Sequence, residues 1–243
     1  MVFYRKYRPQ TIEELDSSAV RETLFSVFSG KSYPHAFLFT GPKGLGKTST
    51  ARIIAKVINC ESRIKNKESG DKRSEKTDVQ KHNSSFIIPN SKIEPCNKCS
   101  QCLSITNGTN IDILEIDGAS NRGIDEIRDL REKIKLSPAY ANKKVYIIDE
   151  VHMLTTEAFN ALLKTLEEPP AHAMFILCTT EPHKIPATIS SRCFHISFKM
   201  ATNEELARSF ARIAKKERLT FDKDALDLIA NISDGSFRDG VKH

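Results

Sequence analysis

The run Gly41-Pro42-Lys43-Gly44-Leu45-Gly46-Lys47-Thr48 constrains this chain most, because it lies between the apolar stretch Ala36-Phe37-Leu38-Phe39 and helical periodicity from Ser49 to Ile58. Strand, glycine-rich loop and helix in that order make a P-loop, whose backbone N–H groups turn onto phosphate oxygens. In such a loop Lys47 reaches the β- and γ-phosphates and the Thr48 hydroxyl ligates Mg²⁺. Gly41 through Ser49 are therefore the candidate ATP-binding residues. A glycine turn that binds nothing is the plainer alternative, and the strand and helix on its flanks argue against it.

About a hundred residues later, Lys144-Val145-Tyr146-Ile147-Ile148 reads as a buried parallel strand that ends in Asp149-Glu150. Asp149 at the carboxyl end can hold Mg²⁺, and Glu150 can polarise a water in line with the γ-phosphate. Alone, a strand finishing in acidic residues is common. Beside the glycine-rich loop it points to a nucleotide hydrolase.

With 243 residues, the chain has length for one α/β core and a small second domain. Basic residues interrupt the apolar ones in Met1 to Pro9, leaving no signal-peptide core, and no stretch approaches 18 apolar residues. The expected location is cytoplasmic, with no membrane partner. The net charge of +6 is a mild bias toward polyanions that ATP explains as readily as nucleic acid. Cys96, Cys99 and Cys102 form a clustered pattern that a cytosolic chain uses for metal more readily than for disulfides.

Along the chain, Tyr4 to Pro9 reads as an extended arm, since Pro9 holds Arg8 away from helix, and Ser18 to Phe28 as an amphipathic helix. Residues 61–95 contain no Leu or Ala and mix eight basic with six acidic side chains, so they are expected to be a largely disordered surface insertion. A strand follows at Asp112 to Ile116, then a polar turn and a helix from Ile124 to Lys135 carrying Arg128 and Arg131 on its outer faces. Met174 to Thr180 and Phe194 to Phe198 read as two more strands, with Cys178 packed in the core. From about residue 202 only helices are expected, which places a domain boundary near residues 199–202. The expected fold is α/β, with a nucleotide-binding domain over residues 1–200 and a helical unit over 201–243.

Several motifs in a fixed order carry a family resemblance: Tyr4-Arg5-Lys6-Tyr7-Arg8-Pro9, the P-loop, the cysteine trio, Glu115-Ile116-Asp117-Gly118-Ala119-Ser120, Asp149-Glu150-Val151-His152-Met153-Leu154, Leu163 to Pro170, Thr179 to Ile185, Ser190-Ser191-Arg192-Cys193 and Gly235-Ser236-Phe237-Arg238-Asp239. Together they resemble the gamma/tau subunits of bacterial DNA polymerase III, AAA+ motors of the sliding-clamp loader. The resemblance implies an AAA+ P-loop NTPase with a parallel-sheet core and a small all-helical lid, and ATP hydrolysis coupled to clamp loading on primed DNA. It implies delta-type and delta-prime-type subunits, other gamma/tau subunits, the sliding clamp and primer-template DNA as partners. By the same resemblance Thr180 is the sensor-1 residue, Arg192 projects into a neighbouring subunit's ATP site, and Arg238 reaches back from the lid as sensor 2. Arg8 and Pro9 fall on the base side of the pocket. Cys60 joins Cys96, Cys99 and Cys102 as the fourth ligand of a structural Zn²⁺ site, closed by four thiolates.

The sequence departs from the family in three places. Ser17-Ser18-Ala19 replaces a Val-Gly-Gln-like turn, residues 61–95 separate Cys60 from Cys96, and the chain stops at His243, short of the lid's final helix and of the family's third, oligomerising domain. A long loop adds only about 0.6 kcal/mol of closure entropy per doubling of its length, so the metal site can survive the separation. Nothing here resembles a polymerase site. Two other readings stand beside the clamp-loader motor: a DNA-repair or recombination AAA+ motor such as a branch-migration ATPase, and a catalytically silent structural subunit. The cysteine cluster argues against the first. Intact Lys47, Thr48, Asp149 and Glu150 argue against the second.

Overall fold

Apolar runs fill Ala36–Thr40 (β1), Lys144–Asp149 (β3) and Ala173–Thr179 (β4) except at their polar ends, leaving those strands no face for solvent, and the computed structural model places all three at the centre of one sheet. It describes residues 3–30, 32–64, 93–121, 123–220 and 222–241. Ile113–Asp117 (β2) and Phe194–Ser197 (β5) are the half-exposed edges, and every pairing in the order β2-β3-β4-β1-β5 is parallel.

Side chains alternate across the sheet, so the central strands serve two cores. Phe37, Phe39, Val145, Ile147, Met174 and Ile176 pack with the helices Ser18–Ser29 and Lys47–Asn59. Leu38, Tyr146, Ile148, Phe175 and Leu177 pack on the opposite face with Ile124–Lys135 and Thr156–Glu167. Cys178 is wholly enclosed, and burial pushes its thiol well above the ordinary value, so it serves as core packing.

After β5 the described chain is helical: Asn203–Glu217, Lys223–Ile232 and the single turn Phe237–Gly240, around Ala201, Leu206, Phe210 and Ala230. Periodicity does not reveal that last turn, which is too short to have any. Thr202 and Glu205 cap the first of these helices reciprocally. No helix among the described residues is long and apolar enough to cross a membrane.

Two expectations need correction. Tyr4 to Pro9 is not uniformly extended: Phe3–Lys6 form a helical turn, closed by the Tyr7 N–H on the Phe3 carbonyl at 2.9 Å and by the Phe3 and Tyr7 rings. The restraint of Pro9 reaches only Arg8. Nor do the ends of the 61–95 segment follow its composition. Arg63 is buried and donates to the Val57 and Phe28 carbonyls at 2.8 and 3.1 Å, and Ile93 is 1% exposed. A partner as distant as Phe28, 35 residues from Arg63, leaves no trace in local composition. Residues 65–92, with Phe86-Ile87-Ile88, and Arg122 of the polar turn lie outside the described residues.

Asp112 fixes the start of β2. Its carboxylate accepts from the N–H groups of Ala139, Tyr140 and Ala141 at 2.9, 2.8 and 2.9 Å. Burial pushes the carboxyl up, but these three donors and Lys144 outweigh it and hold it below its ordinary value. A depressed folded value means stabilisation present above the unfolded value and lost as pH falls through the folded one. Asp112→Ala should cost about 2–4 kcal/mol in urea unfolding at pH 7, where the donors are left unpaired. The difference should shrink below about pH 4. A change under about 0.5 kcal/mol at pH 7 would contradict this role.

Candidate nucleotide cleft and metal centre

The helix Lys47–Asn59 starts two residues before the periodic run, so Lys47 and Thr48 stand in its first turn. Unpaired N–H groups and the positive end of the helix dipole therefore face the loop. Gly46, left-handed at φ 88°, is the residue before the helix. Gly44 has φ 84°, and a Cβ there would collide with Ser236 Oγ, so the loop is pressed against the C-terminal helices. The Lys47 ammonium donates to the carbonyls of Gly41 and Pro42 at 2.7 and 2.8 Å, and burial lowers its pKa.

Opposite the loop stands the end of β3. The Thr48 hydroxyl donates to Asp149 at 2.8 Å. Glu150 adopts φ 46°, a left-handed conformation that costs a glutamate about 1–2 kcal/mol. In that conformation its carboxylate accepts from the Thr180 hydroxyl at 3.0 Å and lies 3.6 Å from the Lys43 ammonium. The nearly buried His152 ring places Nδ1 2.9 Å from Thr179 Oγ1 and 3.5 Å from Glu150, with Nε2 3.2 Å from Glu181. Gly118 donates its N–H to the Asp149 carbonyl at 2.8 Å, and a Cβ there would come within 2.7 Å of the Glu150 carbonyl.

These groups line a cavity of about 180 Å³ whose walls include Arg8, Lys43, Lys47, Thr48, Asp149, Glu150 and Arg238. A second cavity of about 90 Å³ adjoins it and shares Arg8, Gly44, Gly46, Ser49 and Arg238. Its remaining walls include Tyr4, Tyr7, Pro9, Val20, Phe198 and Phe237. One compartment is polar and carries the loop lysine; the other is largely aromatic and aliphatic. A phosphorylated ligand with a flat apolar end matches that division. The Arg238 guanidinium also lies 5.7 Å from the Tyr4 ring centre.

Arg8, Pro9, Lys43, Gly44, Leu45, Gly46, Lys47, Thr48, Ser49, Asp149, Glu150 and Arg238 thus meet around one cleft, with Gly41 and Pro42 at its lysine and Thr180 on its glutamate. Arg192 does not join them. It lines neither cavity, pairs with Glu167 at 2.6 Å and donates to the Thr188 carbonyl. Sequence reasoning assigned no role to Tyr4, Tyr7, Phe198 or His152. The first three reach the cleft only through tertiary packing, whereas His152, two residues after Glu150, was a visible signal.

Cys60, Cys96, Cys99 and Cys102 come together with their sulfurs within 4.8 Å of one another. Cys60 terminates the Lys47–Asn59 helix, while Cys99 and Cys102 open the helix Ser100–Asn107. The Cys96 N–H points at Cys60 Sγ and the Cys99 N–H at Cys96 Sγ, both at 3.3 Å. Burial pushes the Cys96 thiol up, but hydrogen bonds from Lys98, Ser62 and Cys99 outweigh it and bring it to about 6. Burial raises Cys60 and Cys102. Such a cluster can coordinate a metal ion. Tetrahedral Zn²⁺ with Zn–S near 2.3 Å needs sulfurs about 3.8 Å apart, a small contraction.

A family model described as "DNA polymerase III, delta subunit" matches residues 69–202. DNA polymerase III subunit tau of Bacillus subtilis (strain 168) is 45% identical over 239 residues, covering 98% of this chain and 38% of the relative. DNA polymerase III subunit gamma of Buchnera aphidicola subsp. Schizaphis graminum is 39% identical over 241 residues, covering 99% and 59%. The chain thus spans between about two fifths and three fifths of these relatives' lengths. Among solved structures, the Thermotoga maritima RuvB Holliday junction branch migration motor aligns with TM-score 0.61 at 18% identity, covering 97% of this chain and 63% of that one. At that identity the likeness shows the fold alone: an α/β fold with a parallel-sheet core and helical elements, as expected from the sequence.

Proposed function

We infer the activity from one premise: the chain belongs to the DNA polymerase III subunit family, on its gamma/tau branch. It binds Mg·ATP in the cleft and hydrolyses it, as a motor subunit of the clamp loader that places the sliding clamp on primed DNA. The observation that carries this reading is the convergence of Lys47, Thr48, Asp149 and Glu150 on one cavity. In AAA+ terms, residues 1–200 form the nucleotide-binding domain and 201–243 the helical lid. Its partners are delta-type and delta-prime-type subunits, further gamma/tau subunits, the clamp and primer-template DNA.

Each side chain has a task that its position supports. Lys47 leaves its two carbonyl partners for β- and γ-phosphate oxygens, while the N–H groups of Gly44 to Thr48 cradle the rest. Thr48 and Asp149, already 2.8 Å apart, hold Mg²⁺, which neutralises charge on the phosphates. Glu150 orients and polarises the attacking water, and Thr180 fixes the carboxylate that does so. Arg238 serves as sensor 2, and Arg8 and Pro9 receive the base side. Arg192, outside its own cleft, is the arginine offered to a neighbouring subunit's nucleotide. No polymerase chemistry is assigned. The branch-migration reading has only a shared fold at 18% identity behind it.

Lys47→Ala should weaken ATP binding about 10- to 100-fold in a direct titration, the worth of charge-assisted contacts to phosphate. Glu150→Gln should keep ATP affinity within about twofold while lowering turnover about 100-fold, within the range of general-base catalysis. Unchanged affinity in the lysine variant, or equal loss of binding and turnover in the glutamate variant, would refute the assignments.

The cysteine cluster holds a structural Zn²⁺, since four protein thiolates leave it no open position. Protein purified without a tag under reducing conditions should contain about one zinc per chain, and Cys60→Ser should lose most of it. Zinc near zero in the parent chain, or retained at parental affinity in the variant, would reject this ligand set.

A further inference from the structure

The N-terminal arm that walls the cleft is held from two sides. On one side it is tied to the lid: Lys6 pairs with Glu217 at 2.6 Å, and Arg212 reaches Asp16 at 3.0 Å and the Glu14 carbonyl at 2.7 Å. On the other side it is tied to the cysteine cluster. The Lys56 ammonium, in the last turn before Cys60, donates to the Gln10 carbonyl at 2.8 Å, Gln10 Oε1 at 2.7 Å and Asn97 Oδ1 at 2.8 Å. Asn97 stands between Cys96 and Cys99. The Gln10 side-chain amide in turn donates to the Arg8 carbonyl at 3.0 Å. Two residues before Cys96, Glu94 accepts the N–H groups of Ile12 and Glu13 at 2.9 and 2.7 Å.

Lys56 is 1% exposed, and its close partners are neutral oxygens. Enclosing an ammonium without a carboxylate at contact distance costs several kcal/mol that a leucine or methionine of similar volume would not. What the lysine supplies in return is three directed hydrogen bonds joining the arm to the loop between two cysteines. An apolar residue would fill the space and make none of them.

We propose that Gln10, Lys56 and Glu94 are positioning residues, through which the metal-binding cluster holds Arg8 and Pro9 in place as the base-side wall of the nucleotide cleft. This rests on the reading of the cleft as an ATP site. Phosphate contacts arise chiefly from Gly41 to Thr48, outside the brace; Arg8 borders both compartments and Pro9 only the apolar one, so brace and metal should weigh far more on recognition of the nucleoside than on the phosphates. Coupling between two sites is reciprocal in binding free energy, so bound ATP should also raise the cluster's affinity for metal in an equilibrium competition with a chelator, whereas tripolyphosphate should not.

The test measures binding of Mg·ATP and of Mg·tripolyphosphate by calorimetry, using the metal-loaded chain and its Gln10→Ala, Lys56→Met and Glu94→Ala variants. Each variant should lose about tenfold in ATP affinity, the scale of a lost hydrogen-bonded support, with tripolyphosphate affinity within about twofold. Glu94→Gln, which keeps one acceptor oxygen, should recover part of the loss, and a chelated parent chain should behave like the variants. If a buried variant fails to fold, Gln10→Ala, at a half-buried position, decides alone. Equal losses for both ligands would overturn the proposal by showing damage to the P-loop helix, and so would unchanged ATP affinity. A parent chain that binds neither ligand would instead remove the ATP reading itself.

Discussion

Parallel pairing of all the strands is the constraint on which the rest depends, because it brings every carboxyl end to one edge of the sheet. Thr40 at the end of β1 runs into the P-loop, Asp149 at the end of β3 faces it, and Thr179 of β4 lies between them. Residues separated by more than a hundred positions thereby come within one hydrogen bond, as Thr48 and Asp149 do. The two-sided burial that pairing demands explains why β1, β3 and β4 carry no polar face. It also explains why the candidate functional residues gather at the strand ends, where the chain leaves the core.

A second rigid element carries that geometry away from the sheet. The helix Lys47–Asn59 begins with the lysine and threonine of the proposed phosphate site, carries Lys56 in its last turn and ends at Cys60. The proposed phosphate recognition, the cysteine cluster and the proposed support of the N-terminal arm therefore all depend on one helix's position. The N-terminal segment closes the circuit, since it meets the cluster's helix through Gln10 and the C-terminal helices through Asp16. Such a closed set of contacts braces the wall of the cleft at Arg8 and Pro9, while the loop lysine donates to two carbonyl groups of its own loop.

Much of this was legible in the chain because it is written locally. The apolar runs that build β1, β3 and β4, the loop glycines with positive φ and the acidic end of β3 each lie within a few adjacent residues, where periodicity and spacing report directly. The four cysteines needed more, since Cys60 joins the other three only through family resemblance and across residues 61–95. Hidden altogether were features made by distant partners: Arg63 seated under Phe28, Glu94 accepting from Ile12 and Glu13, and Lys56 buried among neutral oxygens. Composition around Glu94 argued for a solvated loop, and it could not register two N–H donors some eighty residues upstream. The turn at Phe3–Lys6 escaped for a different reason, because the restraint Pro9 places on Arg8 does not extend to the residues before it.

The central claim is that the cleft between β1, β3 and the C-terminal helices is an ATP site whose phosphates sit on the loop and whose base lies against the arm. Amide hydrogen exchange with and without Mg·ATP tests it most directly, since each wall contributes named backbone N–H groups. The account predicts slower exchange at Gly44 to Ser49 and, in the same titration, at Arg8, Gln10, Phe237 and Arg238. Protection confined to other parts of the chain, or none in the loop at saturating Mg·ATP, would contradict it.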